Sequence, residues 1–205
     1  MFLRINSENP DPSHIQTVAE CLRDGGIVIY PTDTVYGIGC DIFKQRAVER
    51  VAKLKGIDPE KAQFSFVCHD LAHLSDYSKQ VSTPVFKVMK KALPGPFTFI
   101  LEANNKLPKL FKHKKTVGIR IPDNKICLAI VKELGNPLLS TSVHDNDEFV
   151  EYTTDPEVIN ENFGNKVDIV VSGGYCNLQA STVVDCSNGQ FDILRQGLGD
   201  LSQFL

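Results

Sequence analysis

The sequence predicts an α/β or α+β single domain built on a mixed, twisted sheet with flanking helices. Three observations carry this. Short apolar runs of strand length alternate with longer segments whose apolar residues recur at helical period. These amount to about seven strands and five or six helices, interleaved rather than segregated. No repeat, low-complexity tract or linker longer than a loop breaks the 205 residues, a length that suits one domain over 1–205.

The elements follow in order. "SHIQTVAECLRDGG" carries Ile15, Val18, Ala19 and Leu22 on one helical face, with Ser13 as N-cap and Gly25-Gly26 as stop. "IVIY" is a short buried strand. "RAVERVAKLKG" repeats the helical stripe and ends at Gly56. "FSFVC" (64–68) reads as a strand, and "DLAHLSDYS" as a short helix capped by Asp70. "TPVFKVMKKAL" has Pro84 in a helical first turn. "FTFILE" (97–102) and "TVGIRIP" (116–122) are strands, and "KICLAIVKELG" is an amphipathic helix closed by Gly135. "PLLSTS" (137–142) is a strand, "DPEVINENFG" a short helix and "VDIVVSGG" a strand. "STVVDC" and "FDILRQG" alternate like hairpin arms around Ser187-Asn188-Gly189. The polar, acidic stretch 143–154 has no period and reads as a mobile loop.

Composition excludes several classes. Hydrophobic residues are 42% and charged residues 23%, which fits a globular core rather than a disordered chain. The net charge of −3 argues against a protein basic all over, but leaves room for a local basic groove. Six cysteines show no C-x-x-C pair and no zinc-like spacing to a His, so they read as small buried hydrophobes in a reducing compartment. No metal site is expected from them. The N-terminus lacks a signal pattern and no apolar run reaches membrane-spanning length, which predicts a cytoplasmic protein with no membrane partner.

Polar residues gather at strand ends. "IVIYP" runs into Thr32-Asp33-Thr34, followed by Tyr36 and then Gly37 and Gly39, read as a close turn. Arg120 precedes a proline, and "PLLSTS" ends in Ser140, Thr141 and Ser142. Ser181-Thr182 opens a strand, and Arg195 sits in another. Lys53 and Lys55 end the second helix. Strand ends converging in an open sheet make a concave site. Hydroxyls, glycine N–H groups and a few cations suit a triphosphate or carboxylate ligand. Phosphate-loop, dinucleotide and hydrolase-elbow motifs are absent, and no Cys–His pairing marks a nucleophile. Catalysis would then rest on positioning and charge neutralisation.

The segments "GGIVIYPTDTVYGIGCD", "ALPGPFTFILE", "TVGIRIP", "PLLSTS", "ASTVVD" and "ILRQG" resemble, in order and spacing, the YrdC-like family of threonylcarbamoyl-adenylate synthases and their relatives. The ending "GLGDLSQFL" looks most like the YciO-type branch. The resemblance implies an open, twisted mixed sheet with a large concave, positively charged cavity. It implies a reaction of L-threonine, bicarbonate and ATP with magnesium, giving threonylcarbamoyl-AMP and pyrophosphate on the way to N6-threonylcarbamoyladenosine in tRNA. Thr34 would lie on threonine, with Thr32 and Tyr36 lining the same pocket. Arg120 would hold the threonine carboxylate. Ser142 and Ser181 would seat threonine and its carbamate. Lys55 would face phosphates, and Thr116, His144 and Arg195 would reach the nucleotide.

The pattern also departs from the family. Synthases carry Lys-x-Arg where this chain has Lys55-Gly56-Ile57, and Ser-x-Asn where it has Ser142-Val143-His144. Cys68 falls near the place of a family His. Loss of an Arg facing phosphate removes a contact worth roughly 1.5–3 kcal/mol. Two other functions therefore stand beside a synthase. One is a related ATP-dependent enzyme with another acceptor. The other is a non-catalytic tRNA or double-stranded RNA binder that uses the basic runs 87–93 and 106–115.

Overall fold

Residues 1–59, 61–72, 74–143 and 154–205 are described by the computed structural model. Among them ten strands form one sheet: β1 (Phe2–Arg4), β2 (Val28–Tyr30), β3 (Gly37–Asp41), β4 (Ser65–Val67), β5 (Phe97–Glu102), β6 (Thr116–Arg120), β7 (Leu138–Ser142), β8 (Ile169–Ser172), β9 (Thr182–Asp185) and β10 (Asp192–Arg195). Their order is β1-β8-β2-β3-β7-β4-β6-β5-β9-β10. Parallel pairs (β1/β8, β2/β8, β4/β6, β5/β9) mix with antiparallel ones (β2/β3, β3/β7, β4/β7, β5/β6, β9/β10). Five α-helices accompany the sheet: α1 (Pro12–Arg23), α2 (Gln45–Leu54), α3 (Thr83–Ala92), α4 (Lys125–Leu134) and α5 (Pro156–Phe163).

Two of the strands are additions to the sequence reading. β1 is three residues long and only partly buried, so it carries no alternation. β3 begins at Gly37, and Gly37 and Gly39 are extended sheet residues paired with Tyr30 and Val28. They are not a turn. Two smaller corrections concern caps. Asp11, not Ser13, caps α1: with Pro12 in the first turn, the Asp11 carboxylate accepts from Ser13 N at 2.8 Å. The helix expected after Asp70 reduces to a single 3-10 turn at Leu74–Asp76, because the Asp70 carboxylate takes up Ala72 N in a local turn. The hairpin at Gly189 forms as expected, with φ +82 at that glycine. The stretch 144–153 of the expected loop lies outside the described residues.

Strand periodicity sorts the two faces. Cys40, Leu139, Phe66, Ile119, Phe99 and Val184 stand side by side across six strands. They join Val48 and Val51 of α2 and Val85 and Met89 of α3 in the larger core. Each large apolar side chain removed from water there contributes roughly 1.5–3 kcal/mol before entropy. On the opposite face Ile15, Val18 and Leu22 of α1 and Ile126, Ile130 and Leu134 of α4 cover Val28, Tyr30, Leu138 and Val171. One residue along from the apolar row, on this second face, runs Gly39, Ser140, Ser65, Gly118 and Ile100. Glycine and serine fill little space, so the sheet is hollow along this row, where no residue of α1 or α4 lines it. Cys40, Cys68, Cys127 and Cys186 are buried and Cys21 and Cys176 half-buried, all as free thiols.

Candidate functional site

The hollow is a cavity of about 320 Å³. Alternating residues of neighbouring strands make its floor: Ser140 and Ser142 from β7, Ser65 from β4, Thr116, Gly118 and Arg120 from β6, and Thr98 from β5. Gly118 lets any ligand approach backbone, since a Cβ there would meet Thr98 Cγ2 at 3.3 Å. Thr34 and Ser181 wall the two sides, and Phe64, Leu107 and Phe111 give one end an apolar lining.

Arg120 closes β6 and is 7% exposed. Its Nη2 donates to Asp33 Oδ1 at 2.7 Å, to Thr32 Oγ1 at 3.1 Å and to Thr34 Oγ1. The Thr32 hydroxyl in turn donates to Val35 O at 2.7 Å, and Thr34 N donates back to Thr32 Oγ1 at 3.1 Å. The polar loop after β2 is thus a brace that holds a buried guanidinium. Asp33 balances its charge, and its other oxygen accepts from Asp123 N at 3.1 Å. Among the described residues Arg120 Nε is buried with no partner. An unsatisfied buried donor is costly, so this one is ready for an acceptor from a ligand.

Arg195 reaches in from the edge strand. Its Nε and Nη2 donate to Ser181 O at 3.2 and 2.9 Å. Burial, and then the charge of Arg120, lower its pKa, so two cations share one cavity. Ser181 Oγ lies 3.0 Å from Thr98 Oγ1. Ser140 Oγ accepts from the Tyr30 hydroxyl at 2.6 Å, and burial raises that phenol's pKa.

The structure brings together Thr34, Tyr36, Thr116, Arg120, Ser142, Ser181 and Arg195. Thr32 stands one layer behind them, bonded to Arg120. Tyr36 contributes wall, while its hydroxyl donates to Gly174 O at 2.7 Å and accepts from Gly173 N at 3.2 Å. Lys55 caps α2 and does not line the cavity; nor do Ile57, which is 41% exposed, and Cys68. His144 lies outside the described residues. Sequence reasoning passed over three residues. Asp33 stands in the polar run after β2 with no role of its own, Tyr30 looks like core, and Lys114 like part of a solvated charge run. Lys114 lines the cavity, with its Nζ donating to Ala62 O at 3.0 Å.

Among the described lining residues there are three cations, eight serines and threonines, and no carboxylate. That set accepts an anionic ligand rich in oxygen acceptors. Among the described residues no three His, Cys, Asp or Glu group together as a metal cage requires, and no helix is long and apolar enough to cross a membrane.

Comparison with known proteins places this cavity in context. YciO of Escherichia coli K12, an uncharacterized protein, is 37% identical over 207 residues that cover 100% of this chain and 98% of its own. The crystal structure of E. coli YciO superposes with a TM-score of 0.90 at 36% identity, over 100% of this chain and 99% of that one. A threonylcarbamoyl-AMP synthase of Nitrosococcus oceani is 28% identical over 78% of this chain and 85% of its own. P. abyssi Sua5 in complex with L-threonine shares the fold, with a TM-score of 0.87 at 24% identity over 96% of this chain and 57% of that one. The sequence model of the Sua5/YciO/YrdC family, described as "Telomere recombination", matches residues 20–197. The chain belongs to the Sua5/YciO/YrdC family.

Proposed function

We propose that the chain joins L-threonine, bicarbonate and ATP into threonylcarbamoyl-AMP and pyrophosphate, with magnesium arriving on the nucleotide. The observation that carries the reading is the meeting of Thr34, Arg120, Ser181 and Arg195 on one cavity from three distant stretches of chain. The kinship with a threonylcarbamoyl-AMP synthase over 78% of the chain supports it. At about 320 Å³ the cavity has the size of a small-molecule site, roughly 300–1,000 Å³.

The chemistry needs two bond-forming steps. The threonine amine adds to bicarbonate with loss of water, giving a carbamate. A carbamate oxygen then attacks the α-phosphate of ATP, and pyrophosphate leaves. Neither step requires a covalent enzyme intermediate. Arg120, held by Asp33, would take the threonine carboxylate, with Nε supplying the unused donor. Thr34 and Ser142 would receive the threonine hydroxyl and amine. Ser181 would orient the carbamate. Thr116 and Arg195 would contact the nucleotide, Arg195 offsetting charge that builds on the phosphate. A dry, prearranged cavity makes such contacts stronger than in water.

The test is pyrophosphate release that depends on threonine and bicarbonate together, with incorporation of labelled bicarbonate into an adenylate. No incorporation above a heat-treated control removes the reading. A second reading, binding of structured RNA, is favoured by Lys106, Lys109, Lys112 and Lys115, all exposed in a segment without acids. Binding that fails to weaken as salt rises would remove it.

A further inference from the structure

We infer that Lys114 holds the distal phosphates of the nucleotide, and so supplies the cation that this chain lacks at position 57. The inference rests on the synthase reading above for the identity of the ligand, but its geometry is independent. Lys114, Thr116, Gly118 and Arg120 are spaced by two, and all four line the cavity. Thr116, Gly118 and Arg120 share one side of β6, and Lys114 stands just before the strand, across the bend at Lys115, so Arg120 and Lys114 line the cavity from the two ends of this stretch. A threonyl carboxylate seated at Arg120 leaves the phosphate chain to run along β6 past Thr116. That path ends at Lys114.

The surroundings of Lys114 fit this role. It is half-buried, whereas Lys109, Lys112 and Lys115 around it are exposed. Its ammonium donates to Ala62 O, and among the described residues this bond leaves two of the three ammonium protons available. Phe64, Leu107 and Phe111 beside it exclude water and raise the worth of a charge-assisted contact. The other cations of the cavity serve other parts of the ligand: Arg120, paired with Asp33, keeps its Nε for the threonine carboxylate, and Arg195, anchored to Ser181, faces the reacting phosphate. Neither Lys55 nor Ile57 lines the cavity.

The experiment is calorimetric titration of wild type, Lys114→Met, Lys114→Arg and a remote control, Lys132→Ala, with tripolyphosphate, ATP, AMP and L-threonine. The expected result is a loss of roughly ten- to hundredfold in ATP and tripolyphosphate affinity for Lys114→Met. AMP and threonine affinity stay at wild-type values, Lys114→Arg recovers much of the loss, and Lys132→Ala behaves as wild type. Wild-type phosphate affinity in Lys114→Met overturns the inference and leaves the synthase reading standing. An equal loss for ATP, AMP and threonine overturns it too, since that is collapse of the cavity. A wild type that binds tripolyphosphate through Lys114 but neither ATP nor threonine keeps the cation assignment and defeats the synthase reading. A wild type that binds none of the four defeats both.

Discussion

The Tyr30 hydroxyl reaches the Ser140 hydroxyl at 2.6 Å across the intervening strand β3. It can do so because β3 presents Gly37 and Gly39 beneath the ring. A Cβ at Gly37 would lie 3.0 Å from Tyr30 Cζ, and one at Gly39 would strike the Leu139 carbonyl. A fully buried phenol thereby forms the rear wall behind the serine floor of the cavity.

Tyr30→Phe should leave the fold intact and remove this bond. The expected cost is about 1–2 kcal/mol, because Ser140 loses a buried partner. The urea midpoint measures it, with an unchanged slope as the sign that the denatured state is not affected.

Gly39→Ala should be worse than Gly37→Ala. At Gly37 the obstacle is a ring edge that can shift, so overpacking of about 1–3 kcal/mol is expected. At Gly39 the obstacle is backbone of β7, which cannot yield without breaking the ladder. Thermal unfolding of the two variants compares them; equal or reversed losses would contradict the sheet register.

Asp33→Ala should destabilise strongly, because it strands a guanidinium whose side chain is only 9% exposed. Breaking a buried pair from one side costs roughly 3–5 kcal/mol. Arg120→Lys keeps the charge but loses the planar fork. Its expected signature is threonine affinity roughly ten- to hundredfold weaker, with a smaller loss of stability. Titration calorimetry and a melt on the same samples separate the two effects.

Alkaline pH should unfold the protein through its thiols. Burial pushes Cys68 and Cys127 from 9.0 up to about 12. Their folded pKa values are raised, so both folded and unfolded chains keep the proton below pH 9 and stability is full there. Between pH 9 and 12 the unfolded chain releases protons that the folded chain retains, and stability falls by about 1.4 kcal/mol per pH unit for each thiol. Urea midpoints from pH 8 to pH 11 follow the decline, and Cys127→Ala should make it shallower. A flat profile would contradict the burial of these groups.

Much of the fold was legible in order. The stripes of α1 and α4, the runs of β5, β6 and β8, and the hairpin at Gly189 all follow from local period and turn chemistry. β3 was not legible, because "YGIGC" carries the turn signature of glycine and is a strand only through its pairing with Tyr30 and Ser142. Asp11 displaced Ser13 as a cap for a purely local reason, the position of Pro12. The family resemblance implies that Lys55 faces phosphate, yet it lies off the cavity, while Lys114, one of six basic residues in a short run, lines it.

The chain by itself determined the element types, the apolar stripes and the clustering of hydroxyls and cations near strand ends, because these depend on neighbours within a few residues. Only the tertiary structure decided which of those groups meet. Strand order and register are set by pairings between distant segments, and a shift of one residue turns a side chain from core to cavity. That is why Arg120 and Asp33, 87 residues apart, form the anchor of the site.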